Sequence, residues 1–152
     1  ANWMESRMAH LAGQFAGVVR LEVDAAALDA LEAALRGLEA EGLRVAIARG
    51  GPLVAAEARR VCLDLVGHDR PGIVREISSV LARHGVSIEA LESGCESASM
   101  SGETLFRARA ELAVPAACDL AGIRADLEAL ANELMVDLAF DEVPAGRSAL
   151  AA

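Results

Sequence analysis

Apolar positions change from a strand period to a helical period across one short turn near the middle of the chain. Val61, Leu63 and Leu65 alternate with polar or small neighbours, and after the sequence H-D-R-P-G the apolar residues recur every three or four positions. This pattern predicts a strand over Val61–Val66 and a helix over Pro71–His84, joined by a tight turn.

The rest of the second half extends this pattern to a unit of six elements. Further strands are predicted over Val86–Ser97, Leu105–Val114 and Leu134–Phe140, with a second helix over Leu120–Glu133. A serine-rich stretch, Ser93–Gly102, is interpreted as the flexible hairpin between two of these strands. The resulting order is typical of an α+β, ferredoxin-like βαββαβ sandwich with both helices on one face of the sheet.

The turn at residues 68–72 has the composition of a helix start that can hold an anion. Pro71 fits the first helical turn, and Asp69 can accept hydrogen bonds from the free amides there. Gly72 leaves open space beside the backbone, so the turn predicts a small pocket that favours anions. The same residues also fit a capped helix start that binds nothing, and the pattern leaves both interpretations open.

The first half repeats part of the second half. At an offset of 91 positions Phe15 lies over Phe106, and one position further the apolar stripe Leu28–Leu38 lies over Leu120–Leu130. A strand over Leu43–Ala48 is predicted to follow the first helix, so the order strand, strand, helix, strand occurs twice. Charged residues beside the stripe are interpreted as its solvated face: Asp29, Glu32, Arg36 and Glu39.

The same alignment places Ala1 over Ser93, so the first half has no counterpart of Val61–Glu92. We expect a partial first module over residues 1–49, a linker over 50–59, a complete second module over 60–141 and a tail over 142–152. The first strand of such a sheet is central, and its loss uncovers the leucine stripe of the first helix. Either a natural upstream segment is omitted from this sequence, or a partner chain supplies the strand.

Composition narrows the possible functions. The 152 residues are 54% hydrophobic, which is ample for a buried core, and no apolar stretch is long enough to cross a bilayer. A formal net charge of -9 disfavours direct binding to nucleic acid. The absence of lysine excludes Schiff-base chemistry, and neither the cysteines nor the histidines have metal-site spacing. We therefore expect a soluble, cytoplasmic protein without a metal or cofactor.

With this element order and G-H-D-R-P-G-I-V at the first turn, the second half resembles the ACT-domain family of small-molecule regulatory modules. The opening segment Asn2–Gly17 is similar to the second and third strands of the tandem-ACT regulators of glycine cleavage. The resemblance implies amino-acid binding at an interface between modules, through the first turn and the start of the second strand. The implied ligand-binding residues are His68, Asp69, Arg70, Pro71, Gly72, Ile73, Val86, Ser87 and Ile88.

Asp69 stands where several amino-acid-binding members of the family have an asparagine. A carboxylate there attracts the ammonium group of a ligand and repels its carboxylate, and the neighbouring Arg70 offsets that repulsion. The identity of the ligand therefore depends on how these two charges are arranged.

The resemblance implies a non-enzymatic, homo-oligomeric regulator that binds a small amino acid such as glycine. It would act on transcription through a protein partner such as a DNA-binding activator, without contacting DNA or a membrane itself. Two alternatives stay open: a dimerisation or interaction module that binds no ligand, and a regulatory fragment of a larger ACT-containing enzyme.

Overall fold

The chain divides into two structural units, Ala1–Leu53 and Val54–Ala152. The computed structural model describes residues 1–50, 58–97 and 103–143. The helices and strands of the described residues are β1 (Asn2–Leu11), β2 (Gln14–Glu22), α1 (Leu28–Gly37), β3 (Ala58–His68), α2 (Ile73–Arg83), β4 (Ser87–Ser97), β5 (Thr104–Pro115), α3 (Leu120–Leu134) and β6 (Val136–Glu142).

The second unit is a four-stranded antiparallel sheet in the order β4-β5-β3-β6, with two helices inserted in the chain. Because β3 alternates between faces at a period of two, Val61, Leu63 and Leu65 all point to one side, where each is at most 4% exposed. Their core also contains Ile77 of α2 and Leu127 of α3. The predicted α+β, ferredoxin-like βαββαβ architecture is confirmed.

The boundaries of several elements differ from the prediction. The central strand β3 begins at Ala58, which pairs with Pro115, so two residues of the predicted linker belong to the sheet. The serine-rich stretch is a strand as far as Ser97, and its interpretation as a hairpin loop is wrong for Ser93–Ser97. Residues 98–102 of that hairpin lie outside the described residues, as do residues 51–57 of the linker and 144–152 of the tail.

Helix α2 begins at Ile73 and not at Pro71. Its N-cap is Gly72, whose φ of 97° lies in the left-handed region, and no side chain caps the helix. The predicted capping role of Asp69 is therefore wrong, because that residue still belongs to the end of the sheet. At the other end of α2, Gly85 has a φ of 67°, and the amide of Val86 donates to the carbonyl of Leu81, as expected for a glycine C-cap.

The first unit contains the antiparallel hairpin of β1 and β2, followed by α1. The predicted strand over Leu43–Ala48 is wrong: these residues have no strand pairing. In the second unit the corresponding strand β6 pairs only with β3. The first unit has no counterpart of β3 among its described residues, so residues 43–48 lack the partner that would make them a strand.

Both units share one irregularity in their sheets. The β1–β2 ladder skips Met4, and the β4–β5 ladder skips Glu89, so each contains a β-bulge. Trp3 pairs with Leu21 just before the first bulge, and Ile88 pairs with Leu112 just before the second. The bulges fix the equivalence of the hairpins more firmly than sequence matching does.

This register changes the residue-by-residue alignment of the two halves of the chain. Strands β2 and β5 keep the offset of 91, but β1 and β4 correspond at an offset of 85. The difference arises because the second hairpin has six more residues in its connection. Ala1 is therefore equivalent to Val86 and not to Ser93, and the first unit lacks a counterpart of residues 58–85.

Glu32 on α1 contradicts its assignment to a solvated face, since it is only 7% exposed. Its carboxylate accepts hydrogen bonds from Arg49 Nε at 2.6 Å and from Arg36 Nη2 at 3.2 Å. Arg49 also donates to Asp29 at 2.8 Å. The Arg49 guanidinium holds the pKa of Glu32 below its usual range. These ion pairs attach the segment after α1 to the helix without any strand ladder.

Candidate functional site

The turn between β3 and α2 is held by backbone geometry at both ends. His68 is the last residue of β3 and pairs with Leu105. The amide of Asp69 donates to the carbonyl of Thr104 at 3.1 Å, which extends the ladder by one bond. After this point the chain leaves the sheet and enters α2 through the left-handed Gly72. The turn is thus fixed in place with its side chains directed outward.

The side chains of the turn carry charges of both signs and are exposed. Arg70 Nη2 lies 3.9 Å from Glu76 Oε1, a distance that leaves the guanidinium available to another acceptor. His68 Nδ1 lies 3.8 Å from a carboxylate oxygen of Glu103. Desolvation and then the nearby Asp69 carboxylate raise the pKa of the Cys95 thiol. An anionic and a cationic side chain, Asp69 and Arg70, therefore lie in the turn just before α2.

The amino-terminal end of α2 completes this arrangement. A glycine N-cap has no side-chain oxygen to accept from the first-turn amides, and the described residues show no side-chain hydrogen bond that caps α2. Such amides, together with the helix dipole, favour an anionic group. The turn therefore offers donors for a carboxylate beside Arg70 and an acceptor for an ammonium group at Asp69.

The predicted residues at the start of β4 lie at the opposite end of the same sheet. Ser87 pairs with Ala113, whereas His68 pairs with Leu105, eight residues away along β5. At about 3.4 Å per residue this separation is roughly 27 Å. Val86 is 8% exposed and belongs to the core, whereas Ile88 is 38% exposed. Within one unit the structure does not bring the two predicted groups together.

A shallow groove runs between α2 and the edge strand β4, and sequence reasoning did not identify it. This α2–β4 groove is lined only by apolar residues and one serine, and its exposed members are Val74, Ile88 and Leu91. Its volume of about 30 Å³ accommodates roughly two water molecules. The sequence signal that could have revealed this groove is the presence of two apolar residues at exposed positions, Leu91 on the edge strand β4 and Val74 on α2.

The described residues limit other kinds of site. No three histidine, cysteine or acidic residues among them are close enough to hold a metal ion. No helix in the described ranges is both long and apolar enough to cross a membrane. The described part of the first unit has no counterpart of the β3–α2 turn, so the described residues of the two units together contain this turn once.

Residues 63–117, which include the turn, α2 and both strands of the second hairpin, match the ACT domain family. This similarity to the ACT domain family lies within the second unit and covers about a third of the chain. A solved structure of an unknown protein from Galdieria sulphuraria is 32% identical, with a TM-score of 0.73. That match covers 93% of this chain and 82% of the other.

A second solved structure, of a putative glycine cleavage system transcriptional repressor, has a TM-score of 0.68 at 17% identity and covers 93% of this chain and 81% of the other. At that identity it shows a shared fold across both units. No protein with a curated description matches this sequence.

Proposed function

We propose that this protein is an amino-acid-sensing regulator whose ACT domain binds a small amino acid at residues 68–73. The observation that supports the proposal best is the uncapped start of α2, directly preceded in the chain by two exposed side chains of opposite charge, Asp69 and Arg70. A free amino acid is a zwitterion and needs this combination of an anion-binding and a cation-binding group.

In the proposed complex, the ligand carboxylate accepts from the first amides of α2 and from Arg70. The ligand ammonium group donates to Asp69, whose carboxylate takes the place of the neutral amide found in several family members. This orientation resolves the repulsion between Asp69 and the ligand carboxylate by placing the two at opposite ends of the ligand. Ile73 and the narrow α2–β4 groove leave little room for a side chain, which favours glycine or a similarly small ligand.

A complete pocket on this proposal needs a second ACT domain. The start of β4, with Ser87 as its polar group, is roughly 27 Å from the turn of its own unit by strand geometry, and a small amino acid cannot span that distance. The turn of one ACT domain would therefore meet residues 86–88 of another. Ligand binding at such an interface stabilises the assembled state, and couplings of about 1–3 kcal/mol are typical of this kind of control.

The regulatory output that we propose is control of transcription through a protein partner, such as a DNA-binding activator. The opening segment Asn2–Gly17 resembles tandem-ACT regulators of glycine cleavage, and a net charge of -9 disfavours a direct complex with DNA. No catalytic role is proposed for any residue of the chain.

A second candidate function is an interaction module that binds no ligand. Among the described residues the outer edge of β4 has no strand partner, and Val74, Ile88 and Leu91 are exposed. These features favour an interaction module, because an apolar patch beside an unpaired strand edge fits a protein partner. In that case oligomerisation would not depend on any amino acid.

A thermal-shift panel of the twenty amino acids on the full chain tests the proposal. We expect a selective rise in Tm with one or a few small amino acids, absent in Asp69→Ala and Arg70→Ala. Asp141→Ala is the matched control, since this exposed aspartate lies near the far end of β6, and its response should equal that of the wild-type chain. No shift with any amino acid, together with an unchanged oligomeric state, would favour the interaction module.

A further inference from the structure

We infer that Glu76 is an internal competitor for the anion-binding half of the candidate site, and that a ligand carboxylate must displace its side chain. This inference deepens the proposed function and rests on it, because it concerns the same turn and the same amides at the start of α2. Glu76 would then set the ligand concentration to which the site responds.

The position of the Glu76 carboxylate beside the N-cap of α2 is the first argument. Glu76 lies in the first turn of the helix, where side chains lean back toward the amino-terminal end. Its amide donates to the carbonyl of Gly72 at 3.0 Å, which fixes its backbone. A Cβ added at Gly72 would lie 3.5 Å from Glu76 Oε1. A carboxylate oxygen of the chain itself therefore lies next to the residue at which the free amides of α2 begin.

The distance to Arg70 is the second argument. Glu76 Oε1 lies 3.9 Å from Arg70 Nη2, which is close enough for an ion pair but too far for a hydrogen bond. The described residues also show no side-chain hydrogen bond that caps α2. The carboxylate is therefore near both groups that the proposed function assigns to a ligand carboxylate, and it is held weakly by each.

The charges of the turn are the third argument. A zwitterionic amino acid needs one anionic and one cationic group from the protein. Asp69 and Arg70 supply these, and Glu76 adds a second carboxylate near Arg70. A ligand carboxylate bound at Arg70 with Glu76 still in place would meet a like charge at close range. Movement of Glu76 away from Arg70 leaves one charge of each sign for the ligand.

Displacement of this side chain requires no change in the fold. The Glu76 side chain is 33% exposed and that of Arg70 is 40% exposed, so the carboxylate can rotate into solvent. Ion pairs at such exposure typically change an equilibrium constant by a factor of about five or less. Glu76 would therefore weaken ligand binding by a factor of this size without preventing it.

Two other roles for Glu76 lead to different results when its charge is removed. A carboxylate in the first turn stabilises a helix through the helix dipole, and this role would change Tm without changing ligand affinity. A carboxylate that orients Arg70 for the ligand would favour binding, so its removal would weaken binding. Only the competitor role leads to tighter binding after the charge is removed.

The test measures the affinity of the full chain for glycine by calorimetric titration. We expect glycine to bind Glu76→Gln about fivefold more tightly than the wild-type chain. The matched control is Glu128→Gln, which removes an exposed glutamate from α3 and changes the net charge equally. Its affinity for glycine should equal that of the wild-type chain. Amide hydrogen exchange of residues 136–142 reports whether each variant remains folded.

Acetate is the second probe, because it carries a carboxylate without an ammonium group. In NMR titrations it should perturb the amides of residues 73–75 at lower concentration in Glu76→Gln than in the wild-type chain. The inference is overturned if Glu76→Gln binds both probes no more tightly than the wild-type chain, and glycine binding by the wild-type chain would still support the proposed function. If the variant binds acetate more tightly but neither chain binds any amino acid, Glu76 competes with anions and the proposed function fails.

Discussion

The two units contain the same succession of hairpin, helix and extended segment, yet only one of them forms a core. Leu127 in α3 is 0% exposed, whereas its counterpart Leu35 in α1 is half-buried. The sequences of the two stripes are nearly interchangeable, so the difference does not come from the helices. It comes from β3 and α2, which supply the strand and helix against which the stripe of α3 packs. An amphipathic pattern is enough to form a helix, but its apolar face becomes buried only when a partner strand or helix packs against it.

The largest expected effect is at these two leucines. Leu127→Ala should lower the free energy of unfolding of the second unit by about 3–4 kcal/mol, because it removes buried methyl groups and leaves a cavity. Leu35→Ala should cost about 1 kcal/mol in the first unit, since a half-buried site is refilled by solvent. Urea titrations followed by circular dichroism and by Trp3 fluorescence would separate the two units. Equal losses at both positions would mean that the first unit has a closed core in solution.

A smaller effect is expected where the central strand meets β6. A Cβ at Gly67 would lie 2.9 Å from Val136 Cβ and 3.1 Å from its Cα, so Gly67→Ala must displace the start of β6. We expect a loss of about 1–3 kcal/mol, as for other overpacked sites. The exchange of residues 136–142 should become fast, like that of residues 43–49.

The control for this substitution is Gly94→Ala. A Cβ at Gly94 meets no atom within 4 Å, so its effect on exchange should be negligible. If Gly67→Ala leaves residues 136–142 protected, the close contact between β3 and β6 does not decide whether the last segment is a strand.

The smallest effect is a pH dependence confined to the first unit. Arg49 lowers the pKa of Glu32, so the ion pair contributes stability that is fully present above the ordinary glutamate pKa and is lost as pH falls through the lowered value. Exchange of residues 43–49 should accelerate below about pH 4.3. Residues 136–142, held by a backbone ladder, should show no such step from this source.

Glu32→Gln should remove the step, and Glu39→Gln, at an exposed position seven residues after Glu32, should retain it. Added salt should act in the same direction as acid, because it screens the partly exposed Arg49. A pH step that persists in Glu32→Gln would assign it to other carboxylates of the first unit.

Local pattern predicted the elements of the second unit and the turn that carries the candidate site. The change of period around His68–Gly72 located β3 and α2, and Gly85 marked the end of the helix. The pattern failed where the outcome depended on distant partners. Residues 43–48 alternate like a strand but have no ladder, and Glu32 lies off the apolar stripe but is covered by Arg49 from seventeen positions away.

The sequence predicted which residues form the candidate site, but it did not predict how far apart they lie or which residue caps α2. Sequence identified the charged turn and the start of β4, yet the sheet separates Asp69 from Ser87 by most of the length of β5. The sequence predicted a helix start that favours anions, but with Asp69 accepting from its amides, whereas the structure has Gly72 as the N-cap and no side-chain cap. Gly72 takes the N-cap position through a φ in the left-handed region, and the composition of the turn does not reveal that angle.

The β-bulge lies at the same position in the hairpins of both units. Trp-Met-Glu in one ladder and Ile-Glu-Ala in the other differ at every aligned position, but the skipped position is the same. Deleting the extra residue would turn every following side chain of that strand to the opposite face, so small mutational steps cannot readily remove it. The irregularity is therefore a structural mark of the repeat, kept at the same place in both hairpins while the side chains around it differ.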